Sequence, residues 1–341
     1  MNSRNPLRHL HKLLQPAVLL PLILTAALLT LAFKLGDLAQ VLSRVQSMPI
    51  WVMIFALAMV ISYLVLKAWQ LHLLLANLGV RPDWKRFLLA FSVGELAVTL
   101  PFGIFSQNWV LSVTGDTHFG RSSAATVVML LTETAVILLF LVTVGIPRWP
   151  ELRPIALVFL LGLGLLIFGV LRFEHLAVRL AHKLNQPWVH RTLIESIGLL
   201  RGLRQLSNAR ALGINMVLAA LYLGALAFAF QAVGNSIGVS HLGYLAAASI
   251  YAFSLAVVLL FGGLISQIGT MEILGMTAAQ AWGINFTDGL TLMLGFRLVW
   301  TGAMWLLNLP IVALLWRSMR SRDKPGTPTE TSPDDLEEMP H

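Results

Sequence analysis

Of 341 residues, 57% are hydrophobic and only 12% charged, which excludes a soluble globular domain and marks a polytopic membrane protein. With no cysteine in the chain, disulfides, cysteine-ligated zinc, iron–sulfur clusters and thiol catalysis are all excluded. The net charge of +8 would suggest nucleic acid in a soluble protein, but here the basic residues sit in loops between apolar spans, where they set orientation and meet anionic headgroups.

Residues 1–15 form a basic amphipathic start, with Arg8, His9, His11 and Lys12 set among Leu7, Leu10, Leu13 and Leu14, suited to the cytoplasmic membrane surface. No small-residue cleavage site follows, and the apolar run continues into a full span over Pro16–Phe33. A second span is expected over Ile50–Leu71, and then a broken segment from Phe87 to Val113. The span Ala124–Ile146 carries one acid, Glu133, and another span covers Pro154–Leu171. Arg172–Arg210 holds seven basic residues against Glu174 and Glu195, with Leu193, Ile194, Ile197, Leu200, Leu203 and Leu206 at helical spacing. It reads as an amphipathic helix on a membrane face. Ala211–Val233 is the next span, Leu242–Asn285 a second broken segment, and Asp288–Trp316 the last span, with Arg297 inside it. The tail 317–341 starts basic, turns acidic and proline-rich, and has the composition of a disordered end.

The two broken segments resemble each other. Leu96–Gln107 reads Leu-Ala-Val-Thr-Leu-Pro-Phe-Gly-Ile-Phe-Ser-Gln, and Leu255–Gln267 reads Leu-Ala-Val-Val-Leu-Leu-Phe-Gly-Gly-Leu-Ile-Ser-Gln, with one extra residue after Phe-Gly. If each crossed the bilayer fully, the +5 loop 172–210 would face outward, against the positive-inside tendency. If each enters and leaves on one side, every strongly basic loop and both termini become cytoplasmic. Each half then has three crossings, so the second runs upside down relative to the first. The expectation is an all-α polytopic membrane protein of the inner membrane, with about six transmembrane helices and two re-entrant helical hairpins in inverted halves, 16–146 and 147–316.

Charges within spans cost several kcal/mol unless paired or wet. Arg297 could grip a phosphate by a forked contact, with Glu133 its counter-ion or a proton-coupling group; alternatively the two form an ion pair locking the halves together. Glu95, Ser106, Gln107, Asn108, Ser266, Gln267, Thr270 and Glu272 flank the hairpin tips. They would line a substrate cavity with Arg297, where helix N-termini offer N–H groups to an anion, or they would satisfy broken backbone. The nine histidines show no metal spacing, no nucleotide or nucleophile motif occurs, and no cofactor is expected.

Gly94-Glu95 and Leu100-Pro101, then Gly262-Gly263 through Gly269-Thr270-Met271-Glu272, then Phe296-Arg297, resemble the transmembrane region of lysylphosphatidylglycerol synthases and their stand-alone flippase-like relatives. The resemblance covers about Pro16–Trp316. It implies movement of an anionic or modified lipid, a glycolipid or a polyprenyl phosphate between leaflets, with Glu95, Glu272 and Arg297 as family-like positions. The family's arginine after the first hairpin and Glu-Arg in the next span are here Gln107-Asn108 and Glu133-Thr134, so fewer buried cations face the headgroup. No aminoacyl-transfer domain follows the last span, so lysyl transfer is not expected. The alternative to a lipid transporter is a non-catalytic subunit or scaffold partnering a lipid- or glycan-modifying synthase or glycosyltransferase. A membrane-embedded transferase with Glu272 as base is a third reading.

Overall fold

The computed structural model describes residues 38–100, 103–115, 117–145, 161–162, 164, 187–239, 242–260 and 267–320, with backbone alone for 38–40, 187–193, 257, 260, 268 and 317–320. Its main helices are α1 (Leu38–Gln46), α2 (Ile50–Asn77), α3 (Trp84–Ala97), α4 (Ser106–Val113), α5 (Phe119–Phe140), α6 (Pro187–Leu206), α7 (Ala209–Ser236), α8 (Tyr244–Leu260), α9 (Gln267–Ala281) and α10 (Phe286–Arg320). No strand occurs among the described residues. Among the described residues four helices are long and apolar enough to cross a membrane: Ile50–Asn77, Phe119–Val144, Ala209–Ser236 and Phe286–Trp316. Each exceeds the roughly 20 residues that a bilayer requires. The spans expected over Pro16–Phe33 and Pro154–Leu171 fall outside the described residues, apart from 161, 162 and 164, as does 172–186 of the basic segment.

Helix α2 continues to Asn77 rather than Leu71 because Leu74 and Leu75 remain fully buried and the stop signal comes later, at glycine. Gly79 takes φ +74°, a left-handed conformation that only glycine adopts freely, and the Val80 N–H bonds back to the Leu75 carbonyl at 2.9 Å. The same ending recurs 159 residues later: Gly238 has φ +96°, and the Val239 N–H bonds the Gly234 carbonyl at 3.1 Å. Helices α2 and α7 are both 28 residues long, and they start at Ile50 and Ala209, again 159 apart.

These two equivalent helices pack against each other. Tyr63 meets Tyr222 edge to face, while Gln70 Nε2, about two turns further along the buried stripe, donates to the carbonyl of Asn215 at 3.2 Å. Advance along α2 is therefore retreat along α7, and the pair is antiparallel. Alanines 56, 219 and 229, all fully buried, allow the close approach that helices in lipid depend on. Equivalent helices pointing opposite ways make the two halves inverted.

Between α2 and α5 the chain makes a helical hairpin. Its arms α3 and α4 pack together, and their outer ends meet where Arg86 Nη1 donates to the Thr114 carbonyl at 3.3 Å. At the inner turn a Cβ on Gly103 would collide with the Ala97 carbonyl, so glycine is required there. Arg121, near the start of α5, donates to the Leu78 carbonyl at the end of α2 (2.6 Å), so the chain leaves and rejoins one level. In the second half α8 and α9 pack likewise. Arg44 spans the corresponding ends, reaching the Ile237 carbonyl and Asp288 at 3.3 Å each. Leu78 and Ile237 are again 159 apart.

The two ends of the bundle differ in charge. The end where α2 stops and α7 starts gathers Arg81, Lys85, Arg86, Arg121, Arg201, Arg204 and Arg210. There Gln205 on α6 donates to the Asn77 carbonyl, and Glu195 accepts from the Gly120 N–H. At the other end the described charges are Arg44 and Asp288, paired with each other. This asymmetry agrees with the loop-charge argument made from sequence.

Candidate functional site

The centre of the molecule holds two buried polar clusters facing one small cavity. The first is built on α2, where Val52, Ala56, Val60, Tyr63, Lys67, Gln70, Leu71 and Leu74 form one buried stripe at helical spacing. Within it, Lys67 Nζ lies 3.1 Å from Glu95 Oε1 on α3 and 3.8 Å from Glu133 Oε1 on α5, with all three side chains at most 6% exposed. Lys67 Nζ donates to the Tyr63 hydroxyl at 2.6 Å, and that hydroxyl donates to Glu95 Oε2 at 2.9 Å. On the far side the Tyr222 hydroxyl donates to Glu133 Oε1 at 2.5 Å. One ammonium therefore serves two carboxylates, and each carboxylate also takes a tyrosine hydroxyl.

The second cluster is built on α9 and α10. Glu272 accepts from Arg297 Nε through Oε1 (2.8 Å) and from the Gly269 N–H through Oε2 (2.6 Å), so both of its oxygens are occupied. Gly269 sits at φ +86°, which explains glycine three residues before that glutamate. Arg297 Nη2 donates to the Gln267 carbonyl at 3.1 Å, and the guanidinium lies 5.3 Å from the Trp300 ring centre. Arg297 Nη1, the Trp300 indole N–H and the hydroxyls of Thr270 and Thr301 are buried without a hydrogen-bond partner among the described residues, as is Gln267 Oε1. Buried polar groups are usually paired, and an unused guanidinium Nη1 with the unused Trp300 N–H beside it suits an anion.

Tyr63, Lys67, Glu133 and Tyr222 line one wall of the cavity, and Gln267 and Trp300 line another; Val98, Ile104, Tyr251, Leu255 and Leu259 supply apolar surface. Its volume is about 30 Å³, room for about two waters. A second, larger recess of about 130 Å³ adjoins it through shared Leu223 and Tyr251. It is mostly apolar, lined by Val136, Ile137, Phe140, Ala220, Gly224 and Ala248 among others, with Tyr244 and Tyr251 also lining it.

The residues singled out from sequence divide into three groups. Glu95 and Glu133 meet at Lys67, while Gln267, Thr270, Glu272 and Arg297 form the second cluster. Gln107 and Asn108 lie elsewhere: both amides donate at 2.8 Å to the Thr126 hydroxyl, which ties hairpin arm α4 to α5. Ser106 opens α4 half-buried, and Ser266 lies outside the described residues. The expected contact between Glu133 and Arg297 is not made. Each has a nearer partner on a neighbouring helix, Lys67 for the acid and Glu272 for the base. Lys67, Tyr63 and Tyr222 were missed by sequence reasoning, although a cation at the fourth position after Tyr63 within an apolar stripe is a signal that a helical wheel reveals.

A sequence model described as the lysylphosphatidylglycerol synthase TM region matches residues 18–308. The chain belongs to that family. Among curated proteins none matches it. With four membrane-length apolar helices, this member of the lysylphosphatidylglycerol synthase TM-region family is a multi-pass membrane protein.

Proposed function

We propose that this protein moves a lipid with an anionic headgroup between membrane leaflets, with the headgroup passing Arg297 and the tails staying in the bilayer. The observation that carries the reading is the oriented, incompletely bonded guanidinium. Glu272 and the Gln267 carbonyl hold Arg297 from two sides, leaving Nη1 without a partner among the described residues, and Trp300, which lines the cavity, lies beside the guanidinium with its own N–H unused. Glu272, with both oxygens taken, acts as the positioning residue for Arg297 rather than as a headgroup ligand. The adjoining apolar recess between α5, α7 and α8 gives an acyl or prenyl chain a place beside the polar cavity.

A cavity of about 30 Å³ admits no lipid headgroup, so passage needs the halves to move relative to each other. Inverted halves packed across α2 and α7 are the frame on which such rocking operates. The matched family is a transmembrane region and not a catalytic domain, and the reading is of a transporter rather than an enzyme. The basic end of the bundle is taken as cytoplasmic by the positive-inside tendency, and with the span expected over Pro16–Phe33 both termini belong to the cytoplasmic side of the inner membrane. The two helical hairpins enter and leave the bilayer on one side each.

The test uses purified protein in liposomes with fluorescently labelled phosphatidylglycerol and a quencher that cannot cross the bilayer. Wild type should move the label between leaflets, Arg297→Ala should abolish this at unchanged folded yield, and Arg297→Lys should restore only part, since an ammonium lacks the planar fork. Full transport by Arg297→Ala would overturn the proposal. So would transport of no anionic lipid by a protein that copurifies with a synthase, which is the outcome that the scaffold reading requires.

A further inference from the structure

The Lys67 cluster has an unbalanced charge. With both carboxylates ionised and the lysine protonated, Glu95, Glu133 and Lys67 sum to −1, and among the described residues no second cation reaches them. The groups facing Glu133 are Tyr63 and Lys67 from α2, Glu95 from α3, Tyr222 from α7 and Tyr251 from α8. The amides of α4 are engaged by Thr126, and across the cavity stand Gln267 and Trp300. Behind them Arg297 is already neutralised by Glu272. The acid of α6, Glu195, meets α5 at Gly120, which lies 13 residues before Glu133, about 20 Å along the helix. An uncompensated charge at this depth is costly. A metal cation cannot relieve it without evicting the ammonium, because Lys67 Nζ already occupies the point between the two carboxylates.

We propose that the Lys67–Glu95–Glu133 cluster is a proton site that binds one exchangeable proton and thereby controls entry of the anionic headgroup into the cavity it shares with Gln267 and Trp300. The coupling half of this statement rests on the transport reading above; the proton site does not. Loading converts one carboxylate to a carboxylic acid and leaves the cluster neutral, removing a negative charge from the wall opposite Gln267 and Trp300. Anion entry then meets no repulsion from that wall. By linkage the effect is reciprocal: an anion in the cavity promotes proton uptake, so lipid and proton move in the same direction. Tyr63 and Tyr222 each keep a hydroxyl on one carboxylate, and they lie on the two helices that cross between the halves, where a relative movement would exchange those contacts.

The proton site is tested without lipid, on the purified full chain in detergent, by infrared difference spectra across a pH titration. A carboxylic-acid band that disappears as pH rises, and that is missing from Glu133→Gln or from Glu95→Gln, is expected. The same titrating band in both variants, or none in wild type, overturns the proposal. Coupling is tested by binding of short-chain phosphatidylglycerol, whose own charge is constant over the range, followed by tryptophan fluorescence. Wild-type affinity should rise about tenfold per pH unit of acidification where one proton is linked. Glu133→Gln should bind with the affinity of the acid limb at every pH, and Arg297→Lys should bind more weakly with the slope retained. An unchanged slope in both glutamine variants would refute coupling. Absence of phosphatidylglycerol binding at any pH would count against the transport reading, while the infrared band still decides the proton site.

Discussion

Tyr63 and Tyr222, 159 positions apart and equivalent in the two halves, meet edge to face with ring centres 5.6 Å apart, and their hydroxyls turn to different glutamates. The fold is symmetric at this contact and the chemistry is not. The position equivalent to Lys67 is Leu226, and that equivalent to Glu95 is Ser254. The lysine–glutamate pair of the first half has no counterpart at these positions in the second.

Removing one hydroxyl at this contact tests how much each carboxylate depends on it. Tyr222→Phe and Tyr63→Phe should each lower stability in detergent by roughly 1.5–3 kcal/mol, the usual worth of a hydrogen bond to a charged group. Denaturant unfolding followed by tryptophan fluorescence would measure it. The two losses should not add, because both residues act on one cluster.

Lys67→Met should be among the most damaging single changes, costing about 3–5 kcal/mol, since it leaves two carboxylates buried without their cation. Combining it with Glu95→Gln and Glu133→Gln should recover much of the loss, and a thermal-shift comparison of wild type, Lys67→Met and the triple variant would show this. A triple variant no more stable than Lys67→Met alone would mean that the lysine matters for packing rather than charge.

The frame was legible in the sequence because helix breaks and loop charges are local signals. The apolar runs and the basic loops pointed to the antiparallel pairing of α2 with α7 and to the charge difference between the two ends, while the second break, 261–266, lies outside the described residues. The partners of Glu133 and Arg297 were not legible, because a sequence shows that a charge lies inside a span but not what it touches: Arg297 is paired with Glu272 within its own half. Lys67 escaped notice for a related reason. In a run as apolar as Ile50–Asn77 a single lysine looks like the approach to a helix end, and only the stripe it shares with Tyr63 and Gln70 shows it to be buried. It supplies beside Glu133 the cation that the family resemblance would have led one to seek at position 134.

Glu272→Gln should separate positioning from charge. A glutamine can still accept from Arg297 Nε or from the Gly269 N–H, but it no longer neutralises the guanidinium. The expected result is tighter binding of short-chain phosphatidylglycerol with slower release, seen as a lower dissociation constant together with reduced transport. Glu272→Ala, which removes the positioning contacts as well, should weaken binding.

The cysteine-free chain makes its topology testable with single introduced thiols. Ser207 and Ser47 are both exposed and sit at opposite ends of the bundle. Ser207 follows the arginine-rich α6, and Ser47 follows Arg44 at the end closed by the Arg44–Asp288 pair. Each hydroxyl bonds only the carbonyl three residues before it, so replacement should cost little stability. With the arginine-rich end inside, a membrane-impermeant maleimide should label Ser47→Cys on intact cells and reach Ser207→Cys only after the membrane is opened. The reverse pattern would turn the molecule over, and labelling of both from outside would mean that the halves are not inverted across the bilayer.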